Sequence, residues 1–154
     1  MDTKNVILIV DDTPENLRVL GDMLDQQGYE VRIATSGPSA LANATASPPD
    51  LILLDILMPG MDGYEVCRRL KENEKLQRIP VIFISALAMP DQKTRAFQEG
   101  AADFVTKPFQ AEEVAARVHT HLQVARLQKL QLELAGCQAE IERLRARNAE
   151  LERS

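Results

Sequence analysis

The stretch Val6-Ile7-Leu8-Ile9-Val10-Asp11-Asp12 decides the fold. Five β-branched and aliphatic residues in a row mark a strand buried on both faces, which is the habit of parallel sheets covered by helices. Two acids then end the run, so a pair of carboxylates stands at the strand's carboxyl end. Thr13 is placed to cap a following helix, with Pro14 at its first position. Leu17, Leu20 and Leu24 share one face of that helix, and Gly28 ends it.

The same alternation repeats along the chain. A second strand is expected over Val31 to Ala34. A helix follows from about Pro38, with Leu41 and Ala44 inward, until Pro48-Pro49 stops it. Leu51-Ile52-Leu53-Leu54 is a third strand, followed by Asp55 and a turn-rich loop, Pro59-Gly60-Met61-Asp62-Gly63. Tyr64, Cys67 and Leu70 give the next helix its apolar face. Val81-Ile82-Phe83-Ile84 is a fourth strand, followed by Ser85. A helix is expected from roughly Asp91 to Gln98, closed by Gly100 in the left-handed conformation. Asp103-Phe104-Val105 is a short fifth strand, followed by Lys107. Strands alternating with helices imply an α/β fold with a parallel sheet covered on both faces.

Composition agrees. The chain has 154 residues, 45% of them hydrophobic, with 4% aromatics and no Trp, so the core must be aliphatic. No apolar run reaches the roughly 18 residues a membrane span needs, and the N-terminus lacks a signal-peptide pattern, so a cytoplasmic protein is expected. Cys67 and Cys137 form no Cys-x-x-Cys, which argues against a zinc site or disulfide framework. The formal net charge is −5, and no basic stretch suggests a nucleic-acid surface.

In open α/β sheets, ligands bind at the carboxyl ends of the strands where strand order reverses. Asp11, Asp12, Asp55, Ser85 and Lys107 all follow strands, so four strands deliver three carboxylates, a hydroxyl and an ammonium to one rim. Three adjacent carboxylates repel and call for a cation. Hard oxygen ligands suit Mg²⁺, or Mn²⁺ in its place. A carboxylate there can act as a nucleophile toward phosphorus, with Lys107 neutralising the transferred group and Ser85 donating a hydrogen bond to it.

The motifs Val10-Asp11-Asp12, Leu53-Leu54-Asp55-Ile56-Leu57-Met58-Pro59-Gly60-Met61-Asp62-Gly63, Ile84-Ser85-Ala86 and Lys107-Pro108-Phe109 resemble the response-regulator receiver family of two-component signalling, in order over roughly residues 4–122. The resemblance implies a flavodoxin-like five-stranded sheet of order 2-1-3-4-5 and Asp55 as phospho-acceptor. It implies Asp12, Asp55 and the Leu57 carbonyl as direct Mg²⁺ ligands, with Asp11 acting through water. Ser85 and Lys107 would hold the phosphoryl group, and the Lys107-Pro108 bond would be cis. Phe104 matches the aromatic switch, turning inward when Ser85 is drawn to the phosphoryl group. The family's two positions that influence hydrolysis are Leu57 and Leu87 here, and neither side chain can orient water, so slow autodephosphorylation is expected.

No Gly-x-Gly-x-x-Gly or Gly-x-x-x-x-Gly-Lys is present, so the phosphoryl group must come from a partner histidine kinase or phosphotransfer protein. His119 and His121 read as ordinary helix residues. A Mg²⁺-dependent aspartyl phosphatase would need an acid at position 57, where Leu57 stands. The chain is therefore expected to signal rather than turn over outside substrates.

A receiver over residues 1–122 leaves residues 123–154 for a coiled coil continuing helix five. Leu127, Ile141 and Asn148, with Leu134, fall at heptad position a; Leu130, Cys137, Leu144 and Leu151 fall at d. Ile at a with Leu at d favours a parallel homodimer, and Asn148 fixes its register. Glu140 can reach the partner's Arg145, and Arg147 the partner's Glu152. Gly136 weakens the coil by about 1 kcal/mol relative to Ala. The seam is expected to run on from Val114, Val118 and Leu122, and the coil to lead to an output domain. A leucine-zipper DNA binder would need a basic region, but residues 111–126 hold only Arg117 and Arg126. A dimer module indifferent to phosphate is the remaining alternative.

Overall fold

The computed structural model of the chain describes residues 4–86 and 90–153. Ten elements alternate: β1 (Val6–Val10), α1 (Pro14–Gln26), β2 (Glu30–Ala34), α2 (Gly37–Ala46), β3 (Leu51–Leu54), α3 (Gly63–Glu72), β4 (Val81–Ser85), α4 (Pro90–Gln98), β5 (Asp103–Thr106) and α5 (Ala111–Arg153). The strands form one parallel sheet in the order β2-β1-β3-β4-β5. The flavodoxin-like order implied by the resemblance is therefore the one observed.

The continuous apolar runs occupy the three central strands because both faces of the sheet are covered. Side chains alternate between faces along a strand. Leu8, Val10, Ile52, Leu54 and Phe83 point to one side, where they pack with Ala40 and Ala44 of α2, with Tyr64, Val66, Cys67 and Leu70 of α3, and with Ala96 of α4. Ile7, Ile9, Leu51, Leu53, Ile82 and Ile84 point to the other, against Leu17, Leu20 and Leu24 of α1 and Val114, Val118 and Leu122 of α5. Burial pushes the Cys67 thiol up to about 11, and its Sγ–H meets the Glu99 carbonyl at 3.3 Å.

Local details differ from expectation where a side chain finds a better partner. Thr13 stands at the cap of α1, but its side chain makes no capping bond; the Asp11 carboxylate instead accepts the Thr13 amide at 2.9 Å. In α2 the inward residues are Ala40 and Ala44, while Leu41 is only half-buried against the core. β2 begins one residue earlier than expected, at Glu30, and β5 runs on to Thr106. Asp62 caps α3 by accepting the Glu65 amide at 2.9 Å. Gly100 has φ +103°, the left-handed closure predicted for α4.

The chain divides into two compact units between Leu122 and Gln123. Within the second, Leu127, Leu130, Leu134, Ile141, Leu144 and Leu151 are exposed by 45–65%. Val114, Val118 and Leu122 recur every four residues and are buried. Leu127 follows Leu122 by five, outside the alternation of three and four that a coiled coil requires. The helix nevertheless runs unbroken from Ala111 to Arg153, as expected of a segment continuing helix five. Glu140 pairs within its own helix, with Arg143. Among the described residues, no helix is long and apolar enough to cross a membrane.

Candidate functional site

Strand order reverses at β1, whose two neighbours are β2 and β3. The carboxyl ends of β1 and β3 therefore open a crevice between them. The Asp55 amide donates to the Val10 carbonyl at 2.9 Å, so the end of β3 is fixed beside the end of β1. The Lys107 amide donates to the Ser85 carbonyl at 2.9 Å and fixes the end of β5 beside β4 in the same way.

These anchors bring the expected side chains together. Carboxylate oxygens of Asp11, Asp12 and Asp55 all lie within 4.8 Å of one another. Asp11 and Asp55 are buried, at 2% and 7% exposure, whereas Asp12 is exposed. Lys107 Nζ reaches Asp11 Oδ2 at 3.2 Å and Asp55 Oδ2 at 3.5 Å. Ser85 is fully buried at the end of β4. The Lys107-Pro108 bond is cis, as the resemblance implies.

Burial pushes the Asp55 carboxyl above its ordinary range; the Lys107 ammonium opposes this, the negative Asp11 adds to it, and the Leu57 backbone amide opposes it again. Two unit charges at this separation repel by about 3 kcal/mol at an effective dielectric of about 20. One ammonium against three carboxylates leaves the rim two charges negative, the deficit a divalent cation balances. Oxygen-only donors, one of them open to solvent, fit a hard ion such as Mg²⁺ that keeps some of its water.

Three features escaped the reading of the sequence. Asn16, in the first turn of α1, donates from Nδ2 to Asp11 Oδ2 at 3.1 Å. Gly63 packs so closely under Asp55 that a Cβ there would lie 2.3 Å from the Asp55 carbonyl oxygen and 2.8 Å from Ile56 Cα. His121 is not an ordinary helix residue: its Nε2 meets Asp103 Oδ2 at 2.9 Å, beside two bonds from Arg117 at 2.7 and 2.8 Å. Burial alone would raise the Asp103 carboxyl, but the bonds from Arg117, His121 and the Phe104 amide outweigh it and hold it below its usual range. The spacing of four between Arg117 and His121, which puts both on one side of a helix, was the available signal.

Phe104 is 7% exposed and lies 6.4 Å from the Phe83 ring, with Lys93 Nζ 5.8 Å from its own ring centre. Its ring is therefore already inward in this structure. Leu57, two residues after Asp55, is 55% exposed; Leu87 lies outside the described residues.

The response regulator receiver domain family model matches residues 7–119. The response regulator PleD of Caulobacter vibrioides is 46% identical over 114 residues, which cover 74% of this chain and 25% of PleD. A probable cyclic di-GMP phosphodiesterase of Vibrio cholerae is 44% identical over 117 residues, covering 76% of this chain and 26% of that protein. The crystal structure of a putative response regulator from Chloroflexus aurantiacus superposes with a TM-score of 0.76 at 35% identity, covering 79% of this chain and 99% of that one. The chain thus spans about a quarter of the length of these two curated relatives.

The close approach at position 63 carries a prediction. Gly63→Ala drives a methyl into the Asp55–Ile56 backbone, and overpacking of this kind costs about 1–3 kcal/mol. Urea unfolding is expected to show that loss, whereas an unchanged midpoint would mean that α3 shifts away freely.

Proposed function

The chain is a member of the response-regulator receiver family, and from that premise we propose that it accepts a phosphoryl group on Asp55 from a histidine kinase or phosphotransfer protein and passes the resulting change through α5 to a dimeric coiled coil. The observation that carries this reading is the convergence of Asp11, Asp12 and Lys107 on Asp55 at the strand-order reversal.

The chemistry assigned to these side chains is an in-line displacement. An Asp55 carboxylate oxygen bonds to phosphorus as the phosphorus–nitrogen bond of a donor phosphohistidine breaks. The electron pair leaves with the imidazole nitrogen, which takes up a proton. Asp12, Asp55 and the Leu57 carbonyl are proposed to hold Mg²⁺, with Asp11 acting through water; when bound, the ion supplies charge neutralisation for the phosphoryl oxygens. Lys107 stabilises the same oxygens, and Ser85 donates a hydrogen bond to one of them. With Phe104 already inward, phosphorylation acts by favouring this arrangement of the β4–α4 side over others. The apolar Leu57 cannot orient a hydrolytic water, so the phospho-state is long-lived.

The coil is supported by its uncovered apolar stripe. A lone helix leaves Leu127, Leu130, Leu134, Ile141, Leu144 and Leu151 in water, whereas a second copy in parallel buries them, pairs Asn148 with its mate and brings Cys137 opposite Cys137. An output domain beyond the coil belongs to the same proposal and is supported by the much greater length of PleD.

Two experiments test these parts separately. Incubation with Mg²⁺ and acetyl phosphate is expected to add one phosphoryl mass, lost in Asp55→Asn and decaying slowly once the donor is removed. No added mass would refute the acceptor, and decay within seconds would refute the slow hydrolysis. Light scattering is expected to give about twice the 17.2 kDa chain mass, and Ile141→Lys to return it to one chain, because it buries a charge in the seam. A monomeric wild-type protein would refute the coil.

A further inference from the structure

We propose that Asn16 is a positioning residue of the acceptor site: it holds Asp11 in place for the divalent cation while Lys107 is drawn toward the phosphoryl group. The proposal rests on the acceptor reading above and extends it to a residue outside the strand-end cluster.

Donors approach both oxygens of the Asp11 carboxylate. Its Oδ1 accepts the Thr13 amide at 2.9 Å. Its Oδ2 accepts two donors at once, Asn16 Nδ2 at 3.1 Å and Lys107 Nζ at 3.2 Å. Lys107 Nζ also stands 3.5 Å from Asp55 Oδ2. One ammonium is therefore shared between the carboxylate that is to be phosphorylated and the carboxylate beside it. When phosphoryl oxygens gather on Asp55, the ammonium follows the greater negative charge and leaves Asp11 Oδ2. A buried carboxylate oxygen that loses its donor is costly, and Asp11 is only 2% exposed.

Asn16 removes that cost without entering the charge balance. It is half-buried, and its neighbour Leu17 is buried in the core, which seats the first turn of α1 against the sheet. Its amide is a neutral donor, so it satisfies Oδ2 while leaving the full negative charge of Asp11 available to the cation. With the Thr13 amide on the other oxygen, it fixes the plane of the carboxylate from both sides. In its absence, Oδ2 would depend on Lys107 alone, and the carboxylate would lose its fixed plane once the ammonium moves toward the phosphoryl group. Side chains that orient a metal-binding carboxylate in this way typically change affinity by about 10–100-fold when removed.

The test uses the full chain and Mg²⁺ alone as probe, followed by calorimetric titration without any phosphodonor. Asn16→Leu keeps the size but lacks the donor, and Asn16→Ala guards against a fault specific to Leu. Both are expected to raise the Mg²⁺ dissociation constant by about tenfold. With acetyl phosphate, both are expected to need more Mg²⁺ for half-maximal phosphorylation but to reach the wild-type rate at saturation, a split that general loosening of α1 would not produce. Wild-type protein that binds no Mg²⁺ would overturn the acceptor reading itself. Wild-type binding with unchanged affinity in both variants, or a lowered maximal rate at unchanged affinity, would overturn the role of Asn16.

Discussion

Three carboxylates crowd the carboxyl edge of the sheet, and a single lysine from the last strand reaches two of them. Left alone, such a cluster would repel itself apart or protonate, and Asp55 is already pushed upward by burial and by Asp11. The sheet prevents the first outcome by backbone means. The Asp55 amide is tied to β1 and the Lys107 amide to β4, so the side chains cannot separate without breaking the ladder. What remains is a concentrated negative charge, stabilised in part by Lys107 and of a size and donor type that a small divalent ion would balance.

The remainder of the receiver unit serves that arrangement. Two aliphatic layers, one on each side of the sheet, make the central strands rigid. Gly63 lets the start of α3 rest directly on the Asp55–Ile56 backbone, and Asp62 caps the same helix. On the far edge, Asp103 ties β5 to α5 through Arg117 and His121. β5 and α5 are thereby joined by polar contacts as well as by the burial of Val114, Val118 and Leu122.

Much of this was legible in the residues. Val6-Ile7-Leu8-Ile9-Val10, Leu51-Ile52-Leu53-Leu54 and Val81-Ile82-Phe83-Ile84 announce buried parallel strands because nothing polar interrupts them, and the position after each run lies at the sheet's carboxyl edge. That is why Asp11, Asp12, Asp55, Ser85 and Lys107 could be placed before any coordinates were known. Other features were hidden because they depend on directions that spacing does not encode. The Asn16 amide turns back toward Asp11, the Gly63 contact arises from the path of the loop before α3, and Asp103 meets His121 across 18 positions. The long last helix was legible too, since nothing between Ala111 and Arg153 breaks a helix except the lone Gly136.

The central physical claim is that this crowded edge is a cation pocket and not merely a surface patch of acids. Crystals soaked in Mn²⁺ offer the direct measurement, through the anomalous difference density of the ion. One strong peak is expected beside the carboxylates of Asp12 and Asp55 and the Leu57 carbonyl, and absent in Asp55→Ala. Density that avoids this edge, or that persists unchanged without Asp55, would contradict it.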